Sequence, residues 1–274
     1  MHKTLHPCVW IFSLILLLNS VYSYAGGGTK THAERPGWVA EHPFEHRVVI
    51  ENKGQFDGKN PSESEPILFG ARTGSVDLYF SKKGLCFRRD YYKQLDEEGR
   101  EIIEHRPGSR RAQQLTKPDI QLLQAEWVGS NPLTTITAEE AVTTSFNYPG
   151  KGPAQTIFAK AFKKITYHDL YPNVDVEYTL PDGKQGLKYN LIVHPGADLS
   201  KVHLRYSGDM KLNASGDLLV DAAFGPLCDH APAAWYQADH KNVSIRFKLI
   251  GNELSFDLPH GYDPTLALVI DPWT

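Results

Sequence analysis

Apolar and polar residues alternate most regularly between Val174 and Val193. Val174, Val176 and Tyr178 fall on one face of an extended segment, and Asp175, Glu177 and Thr179 on the other. Pro181-Asp182-Gly183 supplies a turn, after which Leu187, Tyr189, Leu191 and Val193 return on one face, and Pro195-Gly196 turns the chain again. The same period recurs on both sides. Residues 67–69 and 76–80 flank Arg72-Thr73-Gly74-Ser75, residues 211–213 and 218–220 flank Ser215-Gly216-Asp217, and residues 245–250 and 254–258 flank Gly251-Asn252. Further strands are expected over residues 48–50, 84–92, 120–128, 134–144, 202–206 and 266–270, and around Ala231-Pro232 to Gln237. Strands spaced about ten residues apart predict an all-β, antiparallel, sandwich-like fold rather than βαβ units.

Three segments break the pattern. Residues 93–117 are highly charged and read as an exposed loop or long hairpin tip. Asn147-Tyr148-Pro149-Gly150-Lys151-Gly152-Pro153 is a Gly/Pro-rich break, and the natural boundary if the chain forms two consecutive lobes (46–150 and 151–274) rather than one large one. Phe158, Ala161, Phe162 and Ile165 stand at helical spacing, so residues 156–165 fit either a short amphipathic helix or an extended segment.

The N-terminus reads as a signal peptide over residues 1–25. Lys3 precedes an apolar run over residues 9–18, and Ser23-Tyr24-Ala25 offers a small-residue cleavage site ahead of a polar lead-in over 26–45. The run ends at Asn19, short of the roughly 20 apolar residues that a spanning helix needs. The formal net charge is −3, with no basic tract, which argues against nucleic acid as a partner. No second apolar span follows, so no integral membrane segment is expected after the leader. Of the three cysteines, Cys8 lies in the leader. Cys86 and Cys228 could pair in an oxidising compartment, or stay as two buried thiols.

Candidate chemistry is sparse. Asp175 and Glu177 share a strand face about 7 Å apart, within the spacing of a glycosidase carboxylate pair. Solvated charges are the competing reading. His168-Asp169, Asp229-His230 and Asp239-His240 hold imidazole and carboxylate ligands for a divalent ion, but none has a compact motif and all three fit surface loops; Asp229-His230, in a Gly/Pro-rich loop with Cys228, is the strongest of the three. Residues 57–65 are rich in oxygen ligands without the calcium-loop pattern. Trp235 and Tyr236, beside Pro232, are the candidate aromatic patch for a glycan or partner, with core packing as the alternative. No catalytic residue, cofactor or metal site is expected.

Several motifs in fixed order resemble the N-terminal module of a family of bacterial cell-surface proteins of the Bacteroidetes type. In that family the module precedes SBBP or other β-propeller-type repeats. They are Glu51-Asn52-Lys53-Gly54-Gln55, Trp127-Val128-Gly129-Ser130-Asn131 (Ser130 replacing an alanine), Asn147-Tyr148 with Gly150, Tyr171-Pro172-Asn173-Val174-Asp175, Leu187-Lys188-Tyr189-Asn190, Pro195-Gly196-Ala197-Asp198, Ala231-Pro232 with Tyr236-Gln237, and Val269-Ile270-Asp271-Pro272. The resemblance implies a non-catalytic secreted or cell-surface module that caps or positions a repeat array or contributes to adhesion. Its partners would be downstream repeats, other surface proteins or glycans. In relatives a repeat array and a sorting domain follow the point where this sequence ends, so a fragment and a stand-alone, periplasmic form both stay open. A glycan-acting hydrolase and a free-standing periplasmic binding domain are the alternatives.

Overall fold

The computed structural model describes residues 47–59, 65–92, 118–150, 155–181 and 186–273. The expected leader, the lead-in and the charged segment over 93–117 lie outside the described residues. The chain from Glu41 to Thr274 forms one compact unit.

The described residues are all-β apart from one 3-10 turn at Leu199–Lys201. The strands before the Gly/Pro-rich break are β1 (Val49–Glu51), β2 (Phe69–Thr73), β3 (Val76–Ser81), β4 (Gly84–Tyr91), β5 (Asp119–Trp127), β6 (Thr135–Ala141) and β7 (Phe146–Pro149). After it come β8 (Thr156–Ala159), β9 (Ala161–Tyr171), β10 (Val174–Thr179), β11 (Lys188–Val193), β12 (Leu204–Tyr206), β13 (Met210–Leu212) and β14 (Leu218–Val220). The last five are β15 (Leu227–Tyr236), β16 (Asn242–Val243), β17 (Arg246–Ile250), β18 (Glu253–Asp257) and β19 (Leu268–Trp273). The helical alternative for residues 156–165 is overturned. Phe158 is exposed on β8, whereas Ile165 is buried on β9, so the apolar residues serve two strands rather than one helix face.

Every pairing is antiparallel. β17 leads through β18, β12, β5, β4, β3, β2 and β1 to β9. From there the sheet continues through β10, β11, β19, β15, β14 and β13. β17 lies beside β13 and β15, so the sheet nearly closes on itself. It is barrel-like, where the alternation had predicted a sandwich. The reason is that the β5–β12 and β1–β9 ladders join strands that a sandwich would divide between two sheets. The same two ladders cross the expected lobe boundary near residue 150, and one core draws on both sides of it.

That core holds the inward faces, including Phe80, Trp127, Tyr167, Tyr178 and Tyr189. Tyr178 sits at its centre, with ring centroids 5.3 Å from Phe80, 5.5 Å from Tyr167 and 6.1 Å from Tyr189. The buried hydroxyls are bonded. Trp127 Nε1 donates to Tyr178 at 2.8 Å, Tyr167 donates to the Ser81 carbonyl at 2.7 Å, and Tyr189 donates to Asp229 at 2.7 Å. A second cluster lies on the opposite face of β3 and β4, where Tyr79 and Cys86 pack against Phe56, Phe146 and Ala159. The β7–β8 hairpin supplies the last two of these, so β3 and β4 are covered on both faces, as the unbroken apolar run Leu78-Tyr79-Phe80 requires.

The family-like motifs turn out to be structural. Asn52 Oδ1 accepts from the backbone N–H groups of Gly54 and Phe56, while its Nδ2 donates to the Ile67 carbonyl. Asn173 turns β9 into β10 at φ 63°, a conformation that asparagine tolerates better than most residues.

Replacing Tyr189 by Phe removes one donor from the fully buried Asp229 while keeping the ring. The expected loss is about 1–3 kcal/mol, read as a lower urea midpoint at unchanged slope; a change below a few tenths of a kcal/mol would show that the bond does not hold the core.

Candidate functional site

The two carboxylates of β10 do not act as a pair. Glu177 meets Lys164 at 3.0 Å, and Lys164 also meets Glu139 at 3.0 Å. Asp175 instead meets His194 Nε2 at 3.0 Å and His168 Nδ1 at 3.6 Å, and its other oxygen accepts from the Asp169 backbone N–H. Burial pushes the Asp175 carboxyl up, but the His194 bond, the Asp169 N–H and the nearby imidazoles outweigh it, so its pKa lies below the ordinary value. Each carboxylate is thus committed to its own network on neighbouring strands. The two residues that suggested glycosidase chemistry lie on one strand, yet each carboxylate is paired with its own cationic or imidazole partner.

The other sequence candidates scatter. Asp239 caps its own turn by accepting from the Lys241 N–H, and His240 follows at φ 57°. Asp57 bonds Asn52 and Glu65 meets Lys83, while residues 60–64, between them, lie outside the described residues. Trp235 and Tyr236 are half-buried at the end of β15. The Tyr236 ring packs on the core, and its hydroxyl accepts from the Asp263 N–H at 2.7 Å.

Asp229-His230 is not a surface loop, as expected, but part of β15. Strand alternation sends Asp229 into the core and His230 out. Cys228, two residues before His230, shares its outward face. The β13–β14 turn then brings Asp217 alongside. Asn213 builds that turn: its Oδ1 accepts from the Ser215 and Asp217 N–H groups, and its Nδ2 donates to Asp217 Oδ2 at 2.9 Å. The Ala231 N–H donates to Asp217 Oδ1, also at 2.9 Å. His230 Nδ1 ends 3.5 Å from Asp217 Oδ1 and 3.9 Å from Cys228 Sγ.

The electrostatics of this cluster are lopsided. The Ala231 N–H and the Asn213 amide hold the Asp217 carboxyl below its ordinary value, so it is ionised at neutral pH. Burial, and then the charges of Asp217 and Asp229, push the Cys228 thiol up. A nucleophile relay needs the opposite, a thiol made more acidic, with the imidazole bridging through its two different nitrogens. Here thiol and carboxylate both face Nδ1. Three ligand-type atoms therefore converge on one point instead of forming a chain, all within 4.8 Å of one another. Cys228 and Asp229-His230 stand together in the sequence as a loop; on a strand the informative signal is the Cys-x-His spacing, which places both side chains on one face.

Beside the cluster a cavity of about 310 Å³ opens between the β2–β3 turn, β4, the start of β11 and the loop before β15. Val76, Phe87, Leu187, Phe224 and Leu227 make it mostly apolar, and Cys228 sits on its wall. Both described cysteines are free. They cannot pair because Phe87 faces the cavity, whereas its neighbour Cys86 points to the opposite face of β4 and packs in the second core. This is also the end of the sheet where the chain enters and leaves. Arg47 donates to the Pro181 carbonyl at the end of β10, Gly186 donates to Thr73, and the last residue of β19, Trp273, pairs through its backbone with Lys188 and His230.

The fold and the site define an all-β, barrel-like domain with an exposed mixed-ligand cluster beside an apolar cavity. The chain belongs to the family described as a domain of unknown function, DUF7948, which matches residues 49–273, the span from the first residue of β1 to the last of β19. No curated protein and no solved structure matches it. Among the described residues no helix is long and apolar enough to cross a membrane.

Because the folded pKa of Asp175 is depressed, its contribution to stability is full above the ordinary value of 3.8 and is lost as pH falls through the lower folded value. Asp175→Asn should therefore lower stability at neutral pH and flatten its decline on acidification. Chemical denaturation across the acid range reads this; an acid limb identical to that of the parent would contradict it.

Proposed function

We propose that this domain is a non-catalytic β module of a secreted or cell-surface protein, one that holds neighbouring modules in position and contributes to adhesion. The observation that carries this reading is the placement of the terminal strands. β1 is paired on both sides, with β2 and β9, and β19 lies between β11 and β15. A module that only floated on a tether could leave its ends on free edges. A module that transmits position needs them inside the sheet, where a ladder on each side holds each terminal strand.

The chemistry supports the same reading. The carboxylates that could serve a hydrolase are tied into ion pairs, and the cysteine is disfavoured as a nucleophile. The chain's acidic balance and its absence of a basic tract leave surface proteins and glycans as the partners that fit. The leader expected over residues 1–25 supports a location outside the cytoplasm, at the surface or in the periplasm.

Pulling the chain between handles attached outside residues 47 and 273 tests the mechanical part. The expected result is a single cooperative rupture, because β1 and β19 are loaded within the sheet. Stepwise peeling at low force would argue against a positioning role. In parallel, glycan and peptide panels should show no turnover; cleavage that Asp175→Asn or Glu177→Gln abolishes would replace this reading with the hydrolase one.

A further inference from the structure

We propose that Asp217, Cys228 and His230 bind one divalent cation of the zinc class, with a fourth position open to solvent. Thiolate, imidazole and carboxylate together suit a borderline-soft ion and not calcium or magnesium, which prefer oxygen ligands. Tetrahedral zinc with ordinary bond lengths sets its sulfur and nitrogen ligands roughly 3.6 Å apart, and nitrogen and oxygen roughly 3.4 Å apart. The separations here are 3.9 Å between Cys228 Sγ and His230 Nδ1 and 3.5 Å between His230 Nδ1 and Asp217 Oδ1. These two separations are within a few tenths of an ångström of the tetrahedral values, and all three ligand atoms lie within 4.8 Å of one another.

The supporting groups are those a metal site requires. Asn213 and the Ala231 N–H fix the Asp217 carboxylate from behind, leaving lone pairs on its cluster-facing side. Cys228 and His230 are held in register by the strand itself, because β15 pairs with β14 on one side and β19 on the other. Binding replaces the Cys228 S–H proton, which leaves to solvent, with a sulfur–metal bond. The charges then balance locally: one thiolate and one carboxylate against a divalent ion. His230 is exposed, so water can complete the coordination on the outer side. An ion here would tie the β13–β14 turn to β15 at the end of the sheet where β19 runs out.

The test uses the full exported chain after chelator treatment. Titration with Zn²⁺ should show one ion bound per chain, and Co²⁺ should give a sulfur-to-cobalt charge-transfer band. His230→Ala and Cys228→Ser should each weaken Zn²⁺ binding by about 10-fold or more, and Cys228→Ser should also abolish the band. Asn213→Ala, which removes the amide bond to Asp217 together with the side-chain bonds of the turn but leaves all three ligands, should weaken affinity while keeping one ion per chain and the band. His260→Ala, at an exposed histidine away from the cluster, should change nothing. Circular dichroism confirms folding, and the exposed His230 is the variant least able to disturb it. The absence of saturable binding, or a Zn²⁺ affinity and Co²⁺ band that both His230→Ala and Cys228→Ser leave intact, would overturn the site.

Discussion

Asp229 has no exposed surface, and it accepts the Tyr189 hydroxyl proton at 2.7 Å inside the curled sheet. Taking a carboxylate out of water costs several kcal/mol unless hydrogen bonds compensate. The rest of the interior is arranged around that demand. Tyr189 stands 6.0 Å from Trp127 and 6.1 Å from Tyr178, and Trp127 in turn donates to the Tyr178 hydroxyl. One hydrogen bond thus joins β5 to β10 and another joins β11 to β15, while the rings fill the space a nearly closed sheet encloses. Removing either bond takes a partner from a buried polar atom, and the ring contacts of Tyr189 with Trp127 and Tyr178 link the two bonds, so the four strands pack as one constraint.

That joint constraint explains why the Gly/Pro-rich break does not separate two lobes. Trp127 and Ser81 come from before it and their partners Tyr178 and Tyr167 from after it, so each half alone would leave buried polar groups without these partners. Turn chemistry can mark where a chain bends, but only the partners of buried atoms decide whether a bend is also a domain boundary. The same logic governs the Asp175 network: its imidazole partners come from β9 and from the residue after β11, joined across strands rather than along one.

Much of the fold was legible because its cause is local. Val174 to Val193 alternates cleanly, and the structure buries Val174, Val176, Tyr178, Tyr189, Leu191 and Val193, the faces that the pattern assigned. The Gly251-Asn252 and Gly74-Ser75 turns made the hairpins they predicted. What could not be read was cross-strand. Closure into a barrel-like sheet depends on the β5–β12 and β1–β9 ladders, whose members lie far apart in sequence. Residues 156–165 carried a helical spacing by coincidence, since Phe158 stays exposed while Ala159 and Ala161 turn inward to the second core. The candidate cluster failed to show for a related reason. Cys228 and His230 were visible, but Asp217 joins them only through the β13–β14 turn and the Ala231 N–H.

Core and cluster are coupled by the period of a single strand. On β15 the residues alternate Cys228 out, Asp229 in, His230 out, and a slip of one residue would reverse all three. The register shift in the β15–β19 ladder between His230 and Ala233 falls just past this point, so the β19 pairing alone does not lock the outward pair in place. The β14 ladder and the Tyr189–Asp229 bond complete the lock, the bond because it can form only when Asp229 points inward. The buried carboxylate that looks costly for the core is therefore what aims a thiol and an imidazole at the same point outside it.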